Sequence, residues 1–438
     1  MVIIRIIQGL FIDEVSYYQL KWSLLGEWLN QGYRMYSETF DYTGPLAVLV
    51  YKYFDLLFGR SMFLHYGLSS IVIIYQAGIF NMLLLKNKAY DENSYLPAFL
   101  YMILMVSIPD FMALSPQLLS LTFILLALQN VLRRIDNQVT DELFLNSGIF
   151  IGIASMIYLP SVVFFLVFLV SLILFSTAVT RRLALYLFSF FLVFGLCSLY
   201  FYLRGDFQIF IDSYLIQNLI MQTGGTIGFY ESLIICAGFV IIFFLSVFKT
   251  WSSARQTNFQ QKIQQVIWLM FLGGISTFLL SNEKSLHELV FMVPVIAYFW
   301  TYYFILLKKR IFKLIMPGLL IFGILGYSVF TYKGLLGNFI PNKPENAIAN
   351  TMILGENISY YKEVEIATPC FNSLLSRKSF EGLDYYNSAS RLYLIFENSD
   401  PNLIIDEIGV MPETLNRFPN IKARYRDRGN GEYVKISN

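Results

Sequence analysis

Long apolar runs separated by short polar stretches fill the first three quarters of the chain, and the last quarter is polar with scattered aromatic residues. The runs fall at about 62–85, 95–113, 115–132, 144–159, 161–178, 183–203, 229–248, 264–281, 289–307 and 314–332, with a shorter one before Asp13. Most approach the ~20 residues that a helix needs to cross about 30 Å of hydrocarbon. Residues 144–178 are too long for one crossing, and Pro160 supplies the break, because the residue before a proline avoids helical geometry. Leu114-Ser115-Pro116 divides its neighbours by the same logic. The pattern predicts about eleven crossings.

Between the first run and the second lies Phe11–Ser61, which opens on the acidic pair Asp13-Glu14 and holds two segments of helical period. The first places Tyr17, Leu20, Leu24, Leu25 and Trp28 on one face, with Lys21 and Glu27 off it. The second starts at Pro45 after Gly44, a favourable first-turn position, and ends before Gly59-Arg60. Both are too short to span and are expected to lie in the membrane interface, aromatic side chains at headgroup level. The carboxylate pair then sits where water meets lipid headgroups.

Sidedness follows from the basic residues near span ends. Lys86 and Lys88, Arg133-Arg134, Arg181-Arg182, Lys249 with Arg255 and Lys262, and Lys308-Lys309-Arg310 occupy alternate loops, which become cytoplasmic along with the amino terminus. The loops 13–61, 204–228 and 281–288, and everything after 333, then face the exterior. The apolar run before Asp13 is short for a span and lacks a small-residue cleavage site. A cleaved signal peptide is therefore not expected, and the true first helix is expected to begin upstream.

Residues 334–349 have the turn-forming composition of a linker, and 350–438 alternate strand and helix patterns. TMILG, LYLIF, NLIID and EYVKI read as strands. Helices are expected at ISYYKEV, Phe371–Leu374, Leu383–Ser388 and Pro412–Arg417. The fold class is thus a polytopic α-helical membrane protein: residues 1–333 form the transmembrane domain, and a small C-terminal α/β exterior domain carries a mainly parallel sheet.

Composition narrows the chemistry. A 56% hydrophobic and 14% charged chain, with mean hydropathy +0.56, lies outside the range of ordinary water-soluble domains. Net charge of +2 with no basic tract gives no reason to expect nucleic acid. Three cysteines, Cys197, Cys236 and Cys370, form no framework, and two histidines, His65 and His287, cannot build a multi-histidine metal site. No phosphate-binding glycine loop or nucleophile elbow occurs.

The order Asp13-Glu14, Tyr17, Gly32-Tyr33, Asp41, Pro45, Phe58-Gly59 resembles the first exterior loop of the GT-C superfamily of membrane glycosyltransferases, which includes the protein mannosyltransferases and the aminoarabinose transferase of lipid A. The match covers the first hundred residues best. Loop 281–288 adds Lys284 and His287, with Pro294 following, in the outline of a comparable short loop of that family. The resemblance implies a sugar donor on a polyprenyl phosphate and a glycan, lipid or protein acceptor on the exterior, with inversion at the anomeric carbon. Asp13, with Glu14 as the alternative, would be the base; Lys284, His287, Arg204 and, more weakly, Arg60 would meet the departing phosphate. Tyr17, Asp41 and Asp110 are further candidates for the substrate site. A divalent cation is the cofactor the resemblance leaves open, although Ser115 and Gln117 stand where many relatives carry another acid. Two rivals are a non-catalytic scaffold of an envelope assembly or export complex, and a transporter of a lipid-linked substrate. A transporter should show charge near mid-membrane and inverted repeats, and the chain shows neither.

Overall fold

The computed structural model describes residues 17–135, 140–175, 180–220, 240, 243–250, 257–282, 285–306, 323, 326, 350–355, 358, 361, 368–370 and 372–436. Helices dominate, joined to a small C-terminal sheet. Among the described residues, five helical stretches are long and apolar enough to cross a membrane: Phe63–Lys86, Pro116–Arg133, Thr180–Arg204, Asn258–Leu280 and Leu286–Ile305. Leu96–Ser107 and Leu159–Phe175 are apolar but shorter. The run expected before Asp13, and most of those at 229–248 and 314–332, fall outside the described residues.

The first loop forms two helices as its periodicity predicts, α1 (Tyr17–Asn30) and α2 (Pro45–Phe58), the second with Pro45 in its first turn. Each is about 21 Å long, too short to cross. Their surroundings differ from the expectation. From Tyr18 to Leu29 every residue of α1 is buried except the half-buried Glu27, so protein rather than lipid headgroups covers it. Helix α2 exposes Tyr53, Leu56, Leu57 and Phe58.

The bundle continues through α3 (Met62–Lys86), α4 (Leu96–Ser107), α5 (Pro116–Ile135), α6 (Asp141–Ile157), α7 (Val163–Phe175), α8 (Thr180–Arg204), α9 (residues 207–220, with a π turn at Ile211–Ile216), α10 (Asn258–Leu280) and α11 (Val293–Ile305). Prolines divide it where the sequence suggested. Pro116 opens α5, and a 3-10 turn at Leu159–Val162 holds Pro160. The run expected at 95–113 is itself divided: α4 stops at Ser107 and Pro109 opens another 3-10 turn, Pro109–Met112. A third, Leu286–Met292, precedes Pro294. Helices α6 and α8 touch through Gly148 and Gly152. A Cβ at Gly148 would strike the Ser189 side chain and the Tyr186 carbonyl, and one at Gly152 would strike Val193. Small residues four apart let two backbones approach where no solvent drives them together. Gln76 shows how a polar group is matched within the bundle: it donates to the Leu118 carbonyl at 2.7 Å and accepts from Tyr101 at 2.8 Å.

The C-terminal unit contains β1 (Thr351–Leu354), α12 (Ser373–Glu381), α13 (Tyr386–Ser399), β2 (Leu403–Asp406), α14 (Met411–Arg417), β3 (Tyr425–Gly429) and β4 (Glu432–Lys435), with sheet order β1-β2-β4-β3. Among the described residues only β1 and β2 pair in parallel; β4 is antiparallel to both its neighbours. The sheet is therefore mixed, not mainly parallel. LYLIF is not a strand but part of α13, where Leu392 and Phe396, four apart, are buried while Leu394 is exposed. The linker expected at 334–349 falls outside the described residues. Alternation along the strands decides what each sheet face meets. Met352, Leu354 and Ile404 pack with Leu375, Leu392, Phe396 and Met411, whereas Ile353, Leu403 and Ile405 pack on Leu20, Leu24, Leu25 and Trp28 of α1. Helix α1 is thus the layer between bundle and sheet.

Candidate functional site

Where α1, the start of α5, the end of α6 and the 286–292 turn converge, a cavity of about 490 Å³, its mouth included, is lined by polar groups. Contributions come from Tyr18 and Lys21, from Tyr42–Gly44, and from Gln117, Tyr158, Asn218 and Glu288. These stretches lie far apart in the chain, and each belongs to a segment that the basic-residue pattern assigns to one side.

Two charged features define the cavity. Lys21 pairs with Asp41 at 3.7 Å, both side chains 2% exposed, and its ammonium lies 5.1 Å from the centre of the Tyr42 ring. Buried ions are costly unless paired and hydrogen-bonded, yet both Asp41 oxygens lack a hydrogen-bond partner among the described residues. The second feature is Glu288, 1% exposed. It accepts from Gln117 Nε2 at 2.8 Å, Ser281 Oγ at 2.9 Å and the Tyr158 hydroxyl at 2.5 Å. Three neutral donors on three elements fix that carboxylate in place.

Backbone approach closes the walls. A Cβ at Gly44 would collide with the Met156 and Ile157 carbonyls at the end of α6. Tyr36 donates its hydroxyl to the Thr43 carbonyl at 2.7 Å, and burial pushes that phenol well above its usual range. From α9, Asn218 donates to the Tyr42 carbonyl at 2.9 Å, so the amphipathic stretch after Arg204 reaches the cavity.

The residues singled out from sequence separate into three groups. Asp13, Glu14 and Lys284 lie outside the described residues, and Tyr17 begins α1 with its side chain outside them. Asp41 and His287 are buried beside the cavity without lining it. The His287 ring stands edge-on to Tyr18 and Trp22, at 5.5 and 5.3 Å, with Trp22 stacked in turn on Tyr51. Asp110, Arg60 and Arg204 are elsewhere. Asp110 is buried in the 109–112 turn. Arg60 forms an ion pair with Glu27 and donates to the Tyr361 carbonyl at 2.5 Å, joining the first loop to the C-terminal unit. Arg204 ends α8, exposed, with its guanidinium 4.9 Å from the Tyr200 ring. Among the described residues, no three His, Cys, Asp or Glu side chains form a group fit to hold a metal ion.

Lys21 and Glu288 were not singled out as site residues. Both carried a signal: a lone cation on the polar face of an otherwise apolar helix, and an acid at the opening of an apolar span. Their polar neighbours Gln117 and Tyr158 carried none, because only the fold brings them to Glu288.

A second, apolar cavity of about 750 Å³ lies on the other flank of the 286–292 turn, lined by Leu104, Phe111, Phe243, Phe244, Leu289 and Met292 among others. One short turn therefore presents Glu288 to a polar chamber and Leu289 and Met292 to an apolar one.

Comparisons with protein-family models, with curated proteins and with solved structures found no match to this chain.

Proposed function

We propose that this chain is a membrane glycosyltransferase of the GT-C kind, crossing a bacterial cytoplasmic membrane about eleven times, with its first loop and C-terminal unit outside. It would transfer a sugar from a polyprenyl-phosphate donor to an exterior acceptor, with inversion. The observation that carries this reading is the pair of cavities sharing one turn: a polar chamber with buried Lys21 and Glu288, and an apolar chamber beside it. An amphipathic donor needs both, a polar pocket for sugar and phosphate and a dry one for its chain.

Lys21 is the cation that the described residues bring to the chamber, and it supplies positive charge for the leaving phosphate. Phosphate departs readily, so one base suffices. Asp13, with Glu14 as the alternative, keeps that role. Glu288 already receives three hydrogen bonds and is better suited to orienting sugar hydroxyls than to taking a proton.

The test is transfer from radiolabelled polyprenyl-phosphate sugars in membranes carrying the full chain, compared with Asp13→Asn, Glu14→Gln and Glu288→Gln. Loss of the base should lower the rate by about 10²–10⁴-fold, and Glu288→Gln by a smaller factor. Equal incorporation by all four proteins, with every donor tried, would sink the reading. One observation favours the scaffold instead: Arg60 and Arg204, two of the cations assigned to phosphate, are absent from the chamber. A scaffold would give no transfer in any of the four proteins.

A further inference from the structure

Away from the chamber, at the seam between the first loop and α13, a third cavity of about 500 Å³ is lined by Trp28, Tyr33, Ser37, Glu38, Arg391 and Asn398 among others. Three of its lining residues carry a buried polar atom with no hydrogen-bond partner among the described residues: Trp28 Nε1, Ser37 Oγ and Arg391 Nε. The Trp28 side chain belongs to a residue only 3% exposed, and it stacks on the half-buried Tyr33 with ring centroids 3.8 Å apart.

Arg391 is unusual in its own right. Its terminal nitrogen donates to the Tyr36 and Thr39 carbonyls at 2.8 and 3.1 Å, and its guanidinium lies 4.4 Å from the Phe40 ring. No carboxylate pairs with it among the described residues, and burial lowers its pKa. A half-buried guanidinium whose Nε is shielded from water and a buried indole, each with an N–H unspent, are a costly arrangement for a protein with nothing to place there.

We propose that the seam cavity is a binding site for a small hydroxylated carboxylate of the sugar-acid type, its carboxylate accepting from Arg391 Nε and Trp28 Nε1. Unsatisfied donors and an unpaired cation select an anion. Tyr33 offers a flat aromatic wall, and Ser37 and Asn398 offer groups that exchange hydrogen bonds with hydroxyls. Glu38 lines the same space, and its Oε2 already accepts the Arg34 backbone N–H at 2.6 Å. It disfavours a second carboxylate while still accepting from hydroxyls. The site stands independently of the glycosyltransferase reading, because none of its residues lines the chamber.

The experiment is equilibrium dialysis of the purified full chain in detergent against radiolabelled D-glucuronate, D-glucose and succinate. Glucuronate should bind saturably, and glucose at least about tenfold more weakly, the ratio expected for losing one charge-assisted hydrogen bond. Succinate should also bind at least about tenfold more weakly, because it has no hydroxyls for Ser37 and Asn398 and its second carboxylate faces Glu38. Arg391→Gln should reduce glucuronate binding by a similar factor. Because Arg391 also holds the loop carbonyls, Trp28→Phe is the deciding variant: it keeps the stacked ring, removes the N–H, and should weaken binding several-fold in a protein that still unfolds cooperatively, at a somewhat lower temperature because the smaller ring leaves a void. Absence of saturable glucuronate binding would overturn the proposal. So would succinate or glucose binding as tightly, or a Trp28→Phe protein that binds as the wild type does.

Discussion

Helices α1 and α2 have the same length, fourteen residues, are consecutive, and each carries one lysine and one acid. Yet α1 is enclosed on all sides while α2 turns Tyr53, Leu56, Leu57 and Phe58 outward. The more polar helix is the buried one, the reverse of the order water imposes. A bilayer explains the inversion. Lipid tails are as apolar as leucine, so α2 gains little by hiding that face, whereas polar side chains need protein partners. Helix α1 finds partners inside for its charged residue and its last amide: Lys21 meets Asp41, and Asn30 donates to Asp55 at 2.7 Å and to the Lys52 carbonyl at 3.0 Å, whereas Gln19 and Ser23 are enclosed with no hydrogen-bond partner among the described residues.

The sharpest way to break this comparison is at Lys21. Lys21→Met leaves Asp41 buried without its counter-charge and should destabilise the protein by about 3–5 kcal/mol, read as a fall in the unfolding temperature of the purified chain in detergent. The double variant Lys21→Met/Asp41→Leu should recover most of that loss, because two apolar residues replace both ions. If Lys21→Met unfolds at the wild-type temperature, partner-seeking by polar groups is not what draws α1 inward.

A smaller effect is expected at Arg60, which follows α2 and reaches back to Glu27 of α1 and across to the Tyr361 carbonyl. Arg60→Ala should cost about 1.5–3 kcal/mol and speed release of the C-terminal unit in limited proteolysis. Arg60→Lys should rescue little, since one ammonium cannot reproduce a guanidinium that bonds two partners in different directions. Unchanged proteolysis in Arg60→Ala would mean that the apolar layer of α1 against the sheet holds the unit alone.

How far the sequence could be read depends on how local each cause was. The breaks at Pro116 and Pro160 and the start of α2 at Pro45 follow from backbone sterics, and the structure has them. TMILG, NLIID and EYVKI are strands as their patterns suggest. LYLIF was misread because a five-residue apolar run carries no decisive period; only the helix around it, with Leu392 and Phe396 inward, resolves it. Strand β3 was missed although Asn430-Gly431, both with positive φ, is a strong hairpin signal. Its residues are mostly exposed and so lack the apolar alternation of a strand. The site was least legible. Arg60 and Tyr361 are 301 positions apart, and Glu288 meets Gln117 across 171. No periodicity encodes such pairs, so the contacts of Arg60 with Glu27 and the Tyr361 carbonyl could not be read from the sequence.

The mildest prediction tests the exposed face of α2 itself. Leu57 is 70% exposed and touches little protein, so Leu57→Gln should alter unfolding in detergent by no more than about 0.5 kcal/mol. What it should alter is the neighbour: lipid in place of protein. A nitroxide on Leu57→Cys, with Cys197 and Cys236 replaced, should collide more often with dissolved oxygen than with a polar nickel complex, as a label in hydrocarbon does. Cys370 can remain. Burial pushes its thiol up to about 12, so at neutral pH it stays protonated and shielded, and the thiolate that would react with the label hardly forms. A preference for the nickel complex would put this face in water. An exposed row of Tyr53, Leu56, Leu57 and Phe58 would then need a protein partner to cover it, and the inversion of burial between the two helices would have lost its cause.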